Sequence, residues 1–330
     1  MKKILLGFFV ITFVGGFSVK GYSQKLSVLF AGTANQNLAR DVGRLLTLPL
    51  APVAIKRFGD KEIFIDLLTS VRGKTVCVVQ PMAPPVNDAL METLLFIDAL
   101  KRASAEKIIL CCPYLGYARQ DRRTTKRSPI SAKLVASLLE KAGVYQVVTV
   151  DMHADQIQGF FSVPCDGLLT TELYARDMKE RFQNQSFVIV APDVGALRRN
   201  RFLAKKLGCD LVVIDKRRDA EGVTEVMNVI GKVKGKMCIL VDDLVDSGGT
   251  LCKAAAALMA KGASSVHVYC THAVLSGCSK ERLAQAPIQS LTISDSIPQK
   301  ELPQKFRVIS LASLLADALR CALKGGNRFF

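Results

Sequence analysis

Ten cysteines are spread over the 330 residues, yet no two stand in a C-x-x-C spacing. That excludes a zinc ribbon or finger. Nor do ten cysteines make a disulfide scaffold in a chain this long. Most fall in apolar stretches, where a free thiol packs as a small hydrophobe, a usage that belongs to a reducing compartment. Histidine is scarcer still: His153, His267 and His272 are all there are, so imidazole chemistry is confined to three places. No tract is low in complexity. No nucleic-acid module is recognisable, and no basic patch is interleaved with aromatics. Acids are in deficit, with 29 Asp and Glu against 45 Lys and Arg, a formal net charge of +16. Without a nucleic-acid site, anionic small molecules account most simply for that balance.

The hydrophobic share of 49% is ample for a core, and the length suits about two domains. The N-terminus stands apart. Met1-Lys2-Lys3 precedes an apolar run from Ile4 to Val19, then Gly21 and Ser23 form a small-x-small pair. Residues 1–24 thus form a hydrophobic leader with the shape of a secretory signal, short for a spanning helix. A signal or anchor, a transit-like extension and a mis-assigned start all fit it.

Past Lys25 strands and helices alternate. Residues 26–33 read as strand and turn, and 35–46 as an amphipathic helix. Strands 53–58 and 62–67 flank Gly59-Asp60-Lys61. Residues 75–80 are a buried strand, Asn87 and Asp88 can cap a helix running to Arg102, and 107–112 are the next strand. Residues 237–273 repeat the strand, polar loop, helix, strand order of 75–114, which suggests duplication. The expectation is two similar α/β domains, 25–168 and 169–330, each a mainly parallel sheet flanked by helices. Residues 308–324 read as a strand and a C-terminal helix that packs back on the first domain.

The chain is organised around residues 238–258. Ile239 to Val241 read as the end of a buried strand, with Asp242 and Asp243 where it stops. Asp246-Ser247-Gly248-Gly249-Thr250 is a tight loop, and 251–261 is a helix closed by Gly262. Such a turn aims backbone N–H groups and a helix N-terminus at one point, which makes an anion cradle. The neighbouring carboxylates cannot bind the same phosphate. They suit sugar hydroxyls or a metal, so the edge reads as a sugar-phosphate site. Elsewhere, Tyr114 and Tyr117 beside Arg119 and Gln120 suggest a flat cationic surface. His153, flanked by Asp151 and Asp155 just past a strand, is the candidate metal or phosphate ligand. His267 lies within a strand and reads as structural. Asp193 ends another strand. Residues 211–215 lead into Lys216, Arg217 and Arg218 and a loop to Val223 that reads as a mobile flap.

The pattern Val241-Asp-Asp-x-x-Asp-Ser-Gly-Gly-Thr250 resembles the phosphoribosyl diphosphate (PRPP) loop of type I phosphoribosyltransferases and PRPP synthetases. Further motifs follow one family's order: Arg57-Phe-Gly-Asp-Lys-Glu62, residues 113–123, Ile130-Ser-Ala-Lys133, residues 150–161, Ala191-Pro-Asp-Val-Gly195 and Ile214-Asp-Lys-Arg-Arg218. Over about residues 25–323 the chain is similar to the ribose-phosphate diphosphokinases, which have two phosphoribosyltransferase-like domains. The resemblance implies transfer of the diphosphoryl group of ATP to O1 of ribose 5-phosphate, giving PRPP and AMP for nucleotide biosynthesis. It implies Lys216 and Arg218 as catalytic cations, with Arg218 also near ribose 5-phosphate. Phe58, Asp60 and Glu62 would contact ATP from a neighbouring subunit, and Arg119 and Gln120 would hold the nucleotide. Asp242 and Asp243 would take ribose hydroxyls, and Asp246, Ser247, Gly248, Gly249 and Thr250 the 5-phosphate. His153 and Asp193 would serve Mg2+.

The resemblance further implies a hexamer built from dimers, no nucleic-acid partner, and no stable membrane association unless the leader is retained. The need for ATP argues for the cytoplasm. There are departures. Lys61 stands where the family has Gly, Pro81 where it has Ser, and Gly195-Ala196 where it has Gly-Gly. The flap reads Asp219-Ala-Glu-Gly222 in place of a basic, Pro-containing sequence. The rival expectations are a non-catalytic regulatory subunit of the same family and a phosphoribosyltransferase that consumes PRPP.

Overall fold

The computed structural model describes residues 27–183, 185–218 and 225–324. The leader and the flap residues 219–223 lie outside them. In chain order the first half runs β1 (Ser27–Ala31), α1 (Gln36–Leu46), β2 (Val53–Arg57), β3 (Ile63–Leu67), β4 (Thr75–Val79), α2 (Val86–Arg102), β5 (Lys107–Cys111), α3 (Ser131–Ala142), β6 (Gln146–Val150), a 3-10 turn at Asp155–Phe160, and β7 (Cys165–Leu168). The second half runs α4 (Thr171–Arg181), β8 (Phe187–Ala191), α5 (Leu197–Leu207), β9 (Leu211–Arg218), β10 (Glu225–Ile230), β11 (Met237–Val245), α6 (Gly249–Ala260), β12 (Ser265–Ala273), α7 (Ser279–Gln285), β13 (Ser290–Ser294), β14 (Phe306–Ile309) and α8 (Ala312–Lys324).

Two α/β domains result. The first sheet is parallel throughout, in the order β1-β4-β5-β6-β7. The second has the order β10-β9-β8-β11-β12-β13-β14 and is parallel except for the edge pair β9–β10. β2 and β3 form a separate hairpin. Helices cover both faces of each sheet, so inner strands have no wet side and read as apolar runs; β4 is buried at every position. Alternate residues serve opposite faces. Val76 and Val78 pack with Phe96, Ile97 and Leu100 of α2, while Cys77 and Val79 pack with α1 and α8. In the second sheet Leu240 and Val268 pack with α6, and Ile239 and Tyr269 with α4 and α5. Leu315 and Leu319 of α8 are fully buried in the first domain's core, as the sequence leads one to expect.

Several local expectations need correction. α2 is not capped by Asn87 or Asp88: Pro85 holds the N-cap position without a side-chain cap. Asn87 accepts a hydrogen bond from the Tyr117 hydroxyl, and Asp88 pairs with Arg57 at 3.0 Å, tying the hairpin to α2. β11 does not stop before its acids. It runs to Val245 because β12 pairs with it that far, Val245 opposite Ala273. Nor do Lys216 to Arg218 open a loop. They complete β9, with Lys216 opposite Met227 and Arg218 opposite Glu225.

His267 is structural, as expected. Its Nδ1 lies 2.8 Å from Ser290 Oγ, and its ring is tilted on Phe182 at 4.8 Å. Burial, helped by the Arg181 charge, pushes its pKa down to about 4. Below about pH 6.5 the unfolded chain takes a proton that the native ring refuses. Stability from this site is therefore complete above about pH 6.5 and is lost as pH falls toward about 4. His267→Gln is expected to flatten the pH dependence of urea unfolding in that window. An unchanged slope would place the acid sensitivity elsewhere.

Candidate active site

A cleft of about 530 Å³ opens where strand ends of the two domains meet. His153 follows β6; Asp193, Gly195 and Ala196 follow β8; residues 242–251 lead from β11 into α6. Arg119 and Arg122 from the loop after β5, and Arg199 from α5, complete the lining.

The glycine-rich loop has physical reasons for its composition. Gly248 has φ +74, and a Cβ there would lie 2.9 Å from Leu283 Cγ, so both conformation and space demand glycine. Gly249 then opens α6, whose first N–H groups have no partner within the helix. The loop is braced from outside. Arg282 Nη1 donates to Ser247 O at 2.5 Å, the Ser276 hydroxyl donates to Asp246, and Arg119 Nη1 donates to Asp246 Oδ2 at 2.7 Å. The Ser276 hydrogen bond and Arg119 hold the Asp246 carboxyl below the usual carboxylate range. Braced N–H groups at a helix N-terminus form an anion cradle.

Next to it stand two acids with opposite character. Burial and the adjacent Asp243 push the Asp242 carboxyl well up. Burial acts on Asp243 too, but a hydrogen bond from His153 and the charge of Arg199 outweigh it and hold that carboxyl low. His153 Nδ1 lies 2.9 Å from Asp243 Oδ2, and this bond raises the His153 pKa. The Asp243 bond fixes one imidazole nitrogen and leaves the other as the ring's available ligand atom, a common arrangement behind a metal-binding histidine. Asp193 is exposed, with one oxygen accepting the Ala196 N–H at 2.9 Å.

The structure therefore brings together Arg119, His153, Asp193, Asp242, Asp243 and residues 246–250. It does not bring Gln120 there. That side chain takes a hydrogen bond from Ser131 Oγ at 2.6 Å, at the start of α3. Phe58, Asp60 and Glu62 sit exposed at the tip of the β2–β3 hairpin and do not line the cleft. The side chains of Lys216 and Arg218 fall outside the described residues. Tyr114 is no part of a flat surface: it is buried, its ring 5.1 Å from that of His272. Arg199 was missed by sequence reasoning. It sits in the basic run Leu197-Arg-Arg-Asn-Arg201, which reads as a solvated face. Its spacing of four residues from buried Leu203 was the available signal.

Lys61 has φ +78, so it occupies the left-handed backbone region that a family Gly would serve. Lys61→Gly is expected to raise unfolding stability by about 1 kcal/mol and to raise nucleotide affinity or activity. An unchanged denaturation midpoint would show that the turn accepts lysine without strain.

Among the described residues no group of three or more His, Cys, Asp or Glu side chains could cage a metal. A two-ligand set of His153 and the Asp193 carboxylate fits a hard cation that keeps waters and takes its other oxygens from substrate phosphates.

An anion cradle beside two adjacent acids, set at the strand ends of a two-domain α/β frame, is an arrangement suited to a phosphoribosyl-handling protein. Residues 27–143 match the N-terminal domain of ribose phosphate pyrophosphokinase, and residues 170–298 match the phosphoribosyl transferase domain. The chain is 51% identical over 295 residues to the ribose-phosphate pyrophosphokinase of Granulibacter bethesdensis, covering 88% of this chain and 95% of that one. It is 49% identical over 294 residues to that of Agrobacterium fabrum, with the same coverage. The crystal structure of phosphoribosylpyrophosphate synthetase from Mycobacterium smegmatis superposes with a TM-score of 0.87 at 39% identity, over 91% of this chain and 99% of that one. The chain belongs to the ribose-phosphate pyrophosphokinase family.

Proposed function

We propose that the protein transfers the diphosphoryl group of ATP to O1 of ribose 5-phosphate, releasing AMP and PRPP. The observation that carries this reading is the facing of His153 from one domain against the Asp242–Asp243 edge and glycine-rich cradle of the other. The cradle takes the 5-phosphate, and the acids orient the ribose hydroxyls. The O1 oxygen attacks the β-phosphorus in line and gives up its proton to solvent, as the bond from the β-phosphorus to the AMP oxygen breaks and AMP leaves. Such a transfer needs positioning and charge neutralisation more than covalent chemistry. His153 and Asp193 would hold Mg2+, which would neutralise phosphate charge there. Arg119 holds the nucleotide from within the cleft, with Phe58, Asp60 and Glu62 supplied by a second copy; Gln120 would have to leave Ser131 to join it. Lys216 and Arg218 supply the remaining cations.

The exposed Phe58 and Phe64 rings at the hairpin support burial against another copy, in an oligomer of dimers forming a hexamer. Residues 27–168 together with α8 form one domain, the rest of the described second half forms the other, and the substrates lie between them. No helix among the described residues is long and apolar enough to cross a membrane, and the requirement for ATP supports a cytoplasmic site of action.

The test is AMP formation by the full chain from ATP and Mg2+, with and without ribose 5-phosphate. Sugar-dependent AMP with an equal yield of PRPP is expected. A folded protein that binds ATP but forms neither product would refute the reading and favour a regulatory subunit.

A further inference from the structure

Arg199 belongs to the second domain by sequence and to both by contact. Its side chain is 16% exposed. Nη2 donates to the carbonyl oxygen of Met152 at 3.2 Å. Nε lies 3.9 Å from Asp151 Oδ1, and Nη1 lies 3.6 Å from Asp243 Oδ1. Buried Nη1 makes no hydrogen bond of its own. The guanidinium thus touches the two residues that precede His153, and also the carboxylate to which His153 is bonded. The ring Asp151, Arg199, Asp243, His153 closes on itself through the backbone.

Two features separate this from ordinary packing. Asp151 has φ +38, a region that a non-glycine residue occupies at a cost. Its buried carboxylate is clamped by Thr170 Oγ1 at 2.6 Å and Thr271 Oγ1 at 2.5 Å. The surroundings hold a strained turn in place directly before His153. Moreover, a buried cation among Asp151, Asp242 and Asp243, with one nitrogen unbonded, is poor value as a stabiliser. Apolar residues of similar volume often do as well. Its benefit is registry, since a planar fork fixes several acceptors relative to one another in a way that lysine cannot.

We propose that Arg199 is a positioning residue for the transfer reaction: it locks the His153 loop of the first domain onto the Asp242–Asp243 edge of the second. The groups on the nucleotide side and the sugar side then share one geometry. This role rests on the function proposed above and adds to it a residue that acts through His153 and Asp243.

The test uses the full chain carrying Arg199→Gln, Arg199→Lys or no change. Arg199→Gln is expected to lower kcat about 100-fold, as a misplacement of about 1 Å does, while changing the KM for each substrate far less. Arg199→Lys keeps the charge without the fork and recovers only part of the loss. With Asp243→Asn already present, Arg199→Gln costs little more; with Asp246→Asn present, it costs its full factor. Independently of turnover, amide exchange in residues 151–154 is expected to speed up about tenfold in Arg199→Gln, with β8 and β11 unchanged.

Equal protection of that loop in variant and parent would overturn the proposal, as would full additivity with Asp243→Asn. A parent chain that forms no PRPP would instead remove the functional reading, and the exchange measurement would still decide whether Arg199 fixes the loop. Should Arg199→Gln fail to fold, Arg199→Lys carries the same two measurements.

Discussion

Lys216→Ala is expected to fold like the parent and to lower turnover by about 10³-fold, the scale on which single preorganised charge-stabilising groups act. The fold should be indifferent because the residue enters the β9–β10 pair through its backbone. The ladder to β10 uses the backbone, which alanine keeps, and Lys216 pairs with Met227 across it. The chemistry should not be indifferent. When AMP leaves, negative charge grows on the oxygens around the β-phosphorus, and a cation held in a site that excludes water stabilises that charge strongly. Initial rates of AMP formation at saturating ATP and ribose 5-phosphate, together with thermal unfolding, measure both halves of the prediction. Near-parental turnover would remove Lys216 from the reaction. A large drop in unfolding temperature would mean that the strand pair depends on the side chain after all.

How much of this site was legible in the sequence depends on how local each part is. The cradle and its acids are consecutive residues, so Asp242 to Thr250 could be read at once. His153 and Asp193 each end a strand, and strand ends of parallel sheets gather along one edge. Lys61 was legible as a misfit, because only a turn demanding positive φ makes a family glycine informative, and its φ is +78.

The parts that could not be read are those fixed by tertiary contact. Arg199 lies 48 residues from Asp151 and 44 from Asp243, and no spacing rule links them. Tyr114 looked exposed because it neighbours arginines; its burial against His272 comes from the other domain. His272 itself bonds the carbonyl oxygen of Val150 at 3.0 Å across the domain junction, a partner no local pattern could supply. β11 outran its expected end for a similar reason: the length of a strand is set by its neighbour. The β9–β10 hairpin was hidden because a run of three cations reads as solvated loop, and only the antiparallel partner reveals it as strand.

Gly248→Ala tests the cradle most directly, because its effect is geometric and needs no change of charge. A methyl group there meets Leu283 Cγ at 2.9 Å, and alanine resists the φ of +74. The left-handed conformation alone costs about 1–2 kcal/mol, so the loop is expected to rearrange rather than absorb both penalties. Rearrangement turns N–H groups away from the phosphate. Each hydrogen bond to a charged group is worth about 1.5–3 kcal/mol. Losing about 2.7 kcal/mol of such contact raises the KM for ribose 5-phosphate about 100-fold. The KM for ATP should move far less if the cradle serves only the sugar phosphate. Gly249→Ala provides the internal contrast. Its φ is not in the left-handed region, and its nearest neighbour is Ser247 Oγ at 3.8 Å, so stability should remain parental there. If Gly248→Ala left the sugar-phosphate KM unchanged, the loop would not be the phosphate site, whatever its resemblance. If both variants lost stability equally, backbone conformation would not be what demands glycine at position 248.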